Sequence, residues 1–132
     1  DFAVVASSID YREPVLPAVS TVTGELVGAG DWASSGYWVD QVRRPVLFHD
    51  ALRTATGPQG VGRLLEVGPD PVLAALAQSA TDPAVESVVA VSALRGGRAE
   101  AESVLSAAGE LYVRGVDVDW AAVFEGAGGR RV

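Results

Sequence analysis

"GRLLEVGPDPVLAALAQSA", residues 62–80, sets a strand, a turn and a helix end to end. Leu64 to Val67 is a short apolar run without alternation, the pattern of a buried strand. Gly68 and Pro69 supply the turn. Asp70 stands where an N-cap carboxylate takes up free amides. Pro71 holds the first helical position, where a missing N–H costs nothing. A strand feeding directly into a helix is the unit from which parallel sheets are built.

The pattern continues on both sides. Downstream, "ESVVAVSAL" reads as a second apolar strand, "RGGR" as a loop, and residues 98–113 as a helix that Gly115 ends. Upstream, "FAVVASSI" (residues 2–9) reads as the end of a helix. Ala18 to Val22 is β-rich and runs to a turn at Gly24. "GAGDWASSG" is a loop in which Ser34 or Ser35 caps a helix over 36–43, and Pro45 stops it. A further helix fits 47–56, with Phe48, Ala51, Leu52 and Ala55 on one face. The Gly-rich tail "VDVDWAAVFEGAGGRRV" predicts an extended strap. The fold class is therefore α/β, a partial parallel sheet of about three strands flanked by helices. Such a sheet reads as part of a larger one.

Composition narrows the chemistry. The chain has 132 residues, 48% of them hydrophobic, with a mean hydropathy of +0.24, enough for one core and against disorder. No apolar run approaches the roughly 20 residues that span a bilayer, and no basic-then-apolar leader is present, so no membrane partner and a cytoplasmic location are expected. A net charge of −7 and a pI near 4.5 argue against nucleic acid as a partner. With no cysteine there is no disulfide, thiol nucleophile or thiolate metal site. All ten basic residues are arginines, and lysine, asparagine and methionine are absent, a bias of G+C-rich coding. The missing initiator Met points to processing or to a piece of a longer chain.

No Gly-x-Ser-x-Gly elbow occurs, so no serine nucleophile is legible. His49 is the single histidine and reads as a surface residue near a helix start; one histidine without cysteine makes no zinc site. Glu66 ends a strand, where carboxylates can face a ligand crevice, but its plainer reading is structural. The "VGPDPVL" turn reads as a capped helix rather than a phosphate site, because Asp70 repels an anion. Arg43 and Arg44 fall in a last helical turn, where cations suit the macrodipole; contact with an acidic partner is the other reading. Gln41, taken alone, is a solvent-facing helix residue.

Four stretches taken together carry more. "PAVSTVTGEL", "YWVDQVRRPVLFHDAL", "LLEVGPDPVLAAL" and "VSALRGGRAEAESVLSAAGELYVRGVDVDW" occur in this order. They resemble the C-terminal part of the acyltransferase domain of modular type I polyketide synthases (residues 1–115) and the start of its post-acyltransferase linker (residues 116–132). The resemblance implies the C-terminal portion of a hydrolase-like acyltransferase core and an actinobacterial, antibiotic-producing setting. It implies transfer of a malonyl or methylmalonyl group from coenzyme A to the phosphopantetheine of an acyl carrier protein through a serine ester.

The serine and its activating histidine belong to motifs that would precede Asp1, so this chain by itself is expected to be inactive and to bind no cofactor or metal. Its implied partners are the remainder of the acyltransferase domain, an adjacent ketosynthase and the acyl carrier protein. Gln41 would orient the absent histidine, its main-chain carbonyl accepting the imidazole N–H. Pro45 would keep that carbonyl free. Arg43 and Arg44 are candidates for carrier-protein contact, and Trp120 and Phe124 for anchoring the linker. "YWVDQV" leans towards malonyl; no substrate-binding residue is legible. The competing reading is a non-catalytic scaffold or docking domain of a multidomain synthase.

Overall fold

Short polar side chains start several of the helices. Ser34 caps α2 (Ser35–Arg43), its Oγ accepting the Gly36 N–H at 3.2 Å, and Arg44 leaves the helical conformation just before Pro45. Asp1 caps α1 (Phe2–Ser7), and Asp119 caps α6 (Trp120–Val123). α3 (Phe48–Thr56) turns Ala51 and Leu52 inward and leaves His49 exposed. Beyond it lie β1 (Arg63–Glu66), α4 (Val72–Ala80), β2 (Val89–Ser92) and α5 (Glu100–Tyr112). The computed structural model describes residues 1–80 and 88–126. The chain forms two compact units, Asp1–Val61 and Gly62–Val132.

In the first unit α1 packs on α2. Tyr11 stacks on Trp38 at 5.8 Å, and the Trp38 indole donates to the Trp32 carbonyl at 3.1 Å. The strand expected over Ala18 to Val22 is not formed. Only Val19 bridges to Leu26, in antiparallel sense. The cause is Ser20, whose hydroxyl accepts the amides of Val22 and Thr23 at 3.1 and 3.3 Å and curls the chain into a turn. A local bond of this kind competes with a ladder. Gly24 closes the turn with φ +78°, and its carbonyl accepts the Thr54 hydroxyl of α3 at 2.6 Å. A Cβ at Gly24 would lie 2.7 Å from the Asp50 Cβ.

In the second unit β1 and β2 pair in parallel, with Arg63 opposite Val89 and Glu66 opposite Ser92. α4 lies against both strands and α5 against β2. The core is Val91, Ala107 and Leu111, with Val89 and Val116 packed on it. Two strands are present among the described residues where three were expected. β1 also alternates between exposed and half-buried instead of being buried throughout, and Leu65 is 48% exposed. A two-stranded sheet has too few neighbours to cover both faces. The tail is not an extended strap: Trp120 to Val123 make one helical turn, because the Asp119 carboxylate takes up the Ala122 N–H at 3.0 Å. The final "GGRRV" lies outside the described residues.

Among the described residues alanines dominate what is buried, and no large side chain is fully enclosed. Val15, Leu16 and Val67 are 97%, 75% and 84% exposed. A buried Val or Leu contributes about 1.5–3 kcal/mol and an exposed one does not, so the isolated chain is short of stabilisation. Purified alone it should melt with low cooperativity or self-associate; a sharp monomeric two-state melt in sedimentation and denaturant titration would count against this. Gly24→Ala combines left-handed strain with a clash, and should destabilise by about 1–3 kcal/mol in a urea melt.

Candidate functional site

Gln41 sits in the last turn of α2, half-buried, on the side facing the Ser20 turn. Its side-chain amide donates to the Thr21 hydroxyl at 3.3 Å, and its Oε1 accepts a long 3.5 Å contact from the Tyr37 hydroxyl. Tyr37 is also bonded to the Ser20 hydroxyl at 2.8 Å. Gln41 is thus not the solvent-facing residue that the helix pattern by itself suggests. The main chain matters equally. The Arg44 N–H reaches the Asp40 carbonyl at 2.8 Å, and the next residue is Pro45, which has no N–H. Among the described residues no donor falls on the Gln41 carbonyl, so a strong acceptor is left open at the helix end.

Beyond Pro45 the backbone is tied down at once. The Leu47 N–H donates to the Thr21 carbonyl at 2.8 Å. The Gln41 side chain and the junction between α2 and α3 are therefore held by the same turn. The arrangement is suited to presenting one carbonyl oxygen at a set position. It offers no nucleophile, and the single histidine, exposed on α3, takes no part.

The βα turn has a different chemistry from the expected one. Asp70 does not cap α4. The Glu66 carboxylate does, its two oxygens accepting the Leu73 and Ala74 amides at 3.0 and 2.7 Å. Asp70 reaches the other way and accepts the Gly96 N–H at 3.0 Å, which ties down the loop after β2. Glu66 wins because the tight turn brings the last residue of β1 over the first turn of the helix, where both carboxylate oxygens find amides. Either way a carboxylate occupies this helix end, and the plain structural reading of Glu66 describes what it does.

Of the remaining candidates, Arg43 and Arg44 share the end of α2 with Gln41, and Trp120 and Phe124 lie far along the chain. Arg44 pairs with Asp40 at 3.0 Å, with both side chains about half exposed. An i,i+4 pair of this kind contributes about 0.3–0.5 kcal/mol. Arg43 is exposed in the last turn of α2. Trp120 meets Tyr112 of α5 edge-on at 5.4 Å and stacks on Phe124 at 6.0 Å. A cleft of about 410 Å³ lies between α4, β2 and α5, lined by Arg95, Arg98 and Glu110 among others. Two of its hydroxyls, on Ser92 and Ser103, are engaged by the Leu94 and Ala99 carbonyls. Among the described residues no group of three acidic or histidine side chains could hold a metal, and no helix is long and apolar enough to cross a membrane.

Comparison with known proteins places the chain. No family model matches it. It is 46% identical, over its full length, to the phenolphthiocerol synthesis polyketide synthase type I Pks15/1 of Mycobacterium bovis, of which it covers 6%. It is 44% identical, over 99% of its length, to the polyketide synthase GfsA of Streptomyces halstedii, of which it covers 2%. Among solved structures, the acyltransferase domain from the second module of the salinomycin polyketide synthase superimposes with a TM-score of 0.81 at 40% identity, over 98% of this chain and 30% of that one. Over nearly its whole length the chain is similar to segments of polyketide synthases and to part of a polyketide synthase acyltransferase domain. It spans a small fraction of these synthases and under a third of the solved domain.

The sequence singled out Gln41 and Pro45, but not the residues that bond to the Gln41 side chain. Tyr37 and Gln41 are spaced i,i+4, the distance at which helix side chains meet, and that signal was readable. Ser20 and Thr21 were hidden because they sit in a stretch whose composition reads as strand. The exchange of roles between Glu66 and Asp70 is directly testable. Glu66→Ala removes two helix-end bonds and should destabilise by about 1–2 kcal/mol in denaturant unfolding, while Asp70→Ala should leave the start of α4 intact and loosen only the Gly96 loop in hydrogen exchange.

Proposed function

We propose that the chain is the C-terminal part of an acyltransferase that moves a malonyl-type acyl group from coenzyme A to the phosphopantetheine of an acyl carrier protein. The nucleophilic serine and its histidine are supplied by the longer polypeptide, next to a ketosynthase and the carrier protein. The observation that carries this reading is the likeness, at 40% identity over 98% of the chain, to a polyketide synthase acyltransferase domain.

The chemistry proceeds in two balanced halves. The serine oxygen attacks the thioester carbonyl while its proton passes to the histidine; the C–S bond breaks, and the coenzyme A sulfur leaves with that proton. The pantetheine thiol then gives its proton to the histidine and attacks the serine ester, and the serine oxygen leaves protonated. In both halves the imidazole becomes imidazolium. A hydrogen-bond acceptor on its far N–H holds the tautomer and stabilises the charge. The open Gln41 carbonyl takes that role, where a carboxylate serves in serine hydrolases of the Ser-His-Asp type.

Three substitutions in the parent enzyme test the role. Gln41→Ala leaves the carbonyl in place and should lower turnover only modestly. Gln41→Pro distorts the helix end and should be severe. Pro45→Ala supplies an N–H that can close onto the Gln41 carbonyl, and should lower kcat with little change in KM. Equal kinetics in all three would remove Gln41 from the mechanism. Incubating the parent polypeptide with malonyl-CoA or methylmalonyl-CoA should give an acyl-enzyme adduct by intact mass, with malonyl preferred, and the isolated chain should give none. A parent that never acquires an acyl group would leave the scaffold reading in its place.

A further inference from the structure

The bonds around Gln41 have a direction. The Ser20 side chain is buried, 2% exposed, and its oxygen accepts from two amides, Val22 and Thr23. A hydroxyl oxygen has two lone pairs, and both are taken. The Ser20 proton must therefore be donated, and the neighbour at 2.8 Å is the Tyr37 hydroxyl. Tyr37, having accepted, is free to donate its own proton, and it faces Gln41 Oε1 at 3.5 Å. That sets the amide orientation of Gln41: its oxygen turns to Tyr37 and its NH₂ to Thr21 Oγ1 at 3.3 Å. The reversed amide would put NH₂ against the Tyr37 proton and oxygen against Thr21, losing the ordered chain.

We infer that Ser20, Tyr37 and Thr21 are positioning residues for the acyl-transfer reaction, a one-way hydrogen-bond chain that fixes the end of α2 so that the donor-free Gln41 carbonyl meets the catalytic histidine. The inference rests on the role proposed for that carbonyl. The end of α2 needs such support, because the Arg44 N–H bond to the Asp40 carbonyl is its last and Pro45 has no N–H to add one on the Gln41 carbonyl. Without the chain, the last turn is free to fray and the carbonyl to wander. Tyr37 and Gln41 brace the helix from within, and Thr21 braces it from the turn that also receives the Leu47 N–H.

The test uses the full acyltransferase polypeptide, with kcat, KM for malonyl-CoA and the pH profile of kcat measured for each variant. Tyr37→Phe and Thr21→Val each remove a hydroxyl at nearly constant shape. Both should lower kcat about two- to tenfold, the range that one net hydrogen bond supports, and leave KM unchanged. A poorly held acceptor stabilises the imidazolium less, so the histidine's pKa falls and the acidic limb of the profile should move to lower pH. Thr21→Ser keeps the hydroxyl and should keep the wild-type rate. A change in melting temperature alone, with kcat and the profile of both variants unmoved, would overturn the inference. If Pro45→Ala lowers kcat in the same series, the carbonyl role survives and only the chain fails. If Pro45→Ala is silent as well, the role of the carbonyl falls too, and the inference falls with it.

Discussion

The turn from Ser20 to Gly24 is the contact on which the first unit depends. The Ser20 hydroxyl folds the turn, and three other parts of the chain then bond to it. α2 does so through Tyr37 and Gln41, the segment after Pro45 through the Leu47 N–H, and α3 through the Thr54 hydroxyl. Each of these bonds is modest alone, about 0.5–1.5 kcal/mol net. Their common origin makes them cooperative, because the turn cannot move without releasing all of them. Gly24 is required at the far end, since its left-handed backbone and its approach to Asp50 leave no room for a side chain.

The second unit is organised by a carboxylate in place of a hydroxyl. Glu66 joins the end of β1 to the start of α4, and Asp70 joins the same turn to the loop after β2. Two acidic side chains thus hold the carboxyl ends of both parallel strands, the edge of an α/β sheet where ligand crevices form. What the unit lacks is cover. A two-stranded sheet over an alanine-rich core leaves large apolar side chains in water, as expected of a segment that matches under a third of a solved domain.

Much of this was legible residue by residue. Ser34 before the α2 pattern, Pro45 after it, and an apolar run followed by Gly-Pro and a helix are local signals, and each produced the element it announced. The α/β class followed from their alternation. The errors share a physical cause. Ala18 to Val22 carries the β-branched composition of a strand, yet one buried hydroxyl bond outcompetes the ladder. Asp70 satisfies every sequence rule for an N-cap, yet a carboxylate from a neighbouring strand lies closer to the amides. The tail reads as extended, yet a single Asp119 cap nucleates a helical turn beside the ring of Tyr112.

By itself the sequence determined the start and stop of α2, the parallel βα unit, and the presence of a carbonyl at Gln41 that no N–H at residue 45 can reach. These follow from covalent facts: which residues lack an N–H, which carry a short oxygen, which have no Cβ. Only the tertiary structure decided which side chain caps α4, whether the run at Ala18 is strand or turn, and which way the Gln41 amide faces. Those outcomes depend on polar groups competing for the same donors and acceptors, some near in sequence, as Ser20 with the Val22 and Thr23 amides, and some distant, as Gln41 with Thr21, and the winner is set by separation in space rather than by residue type.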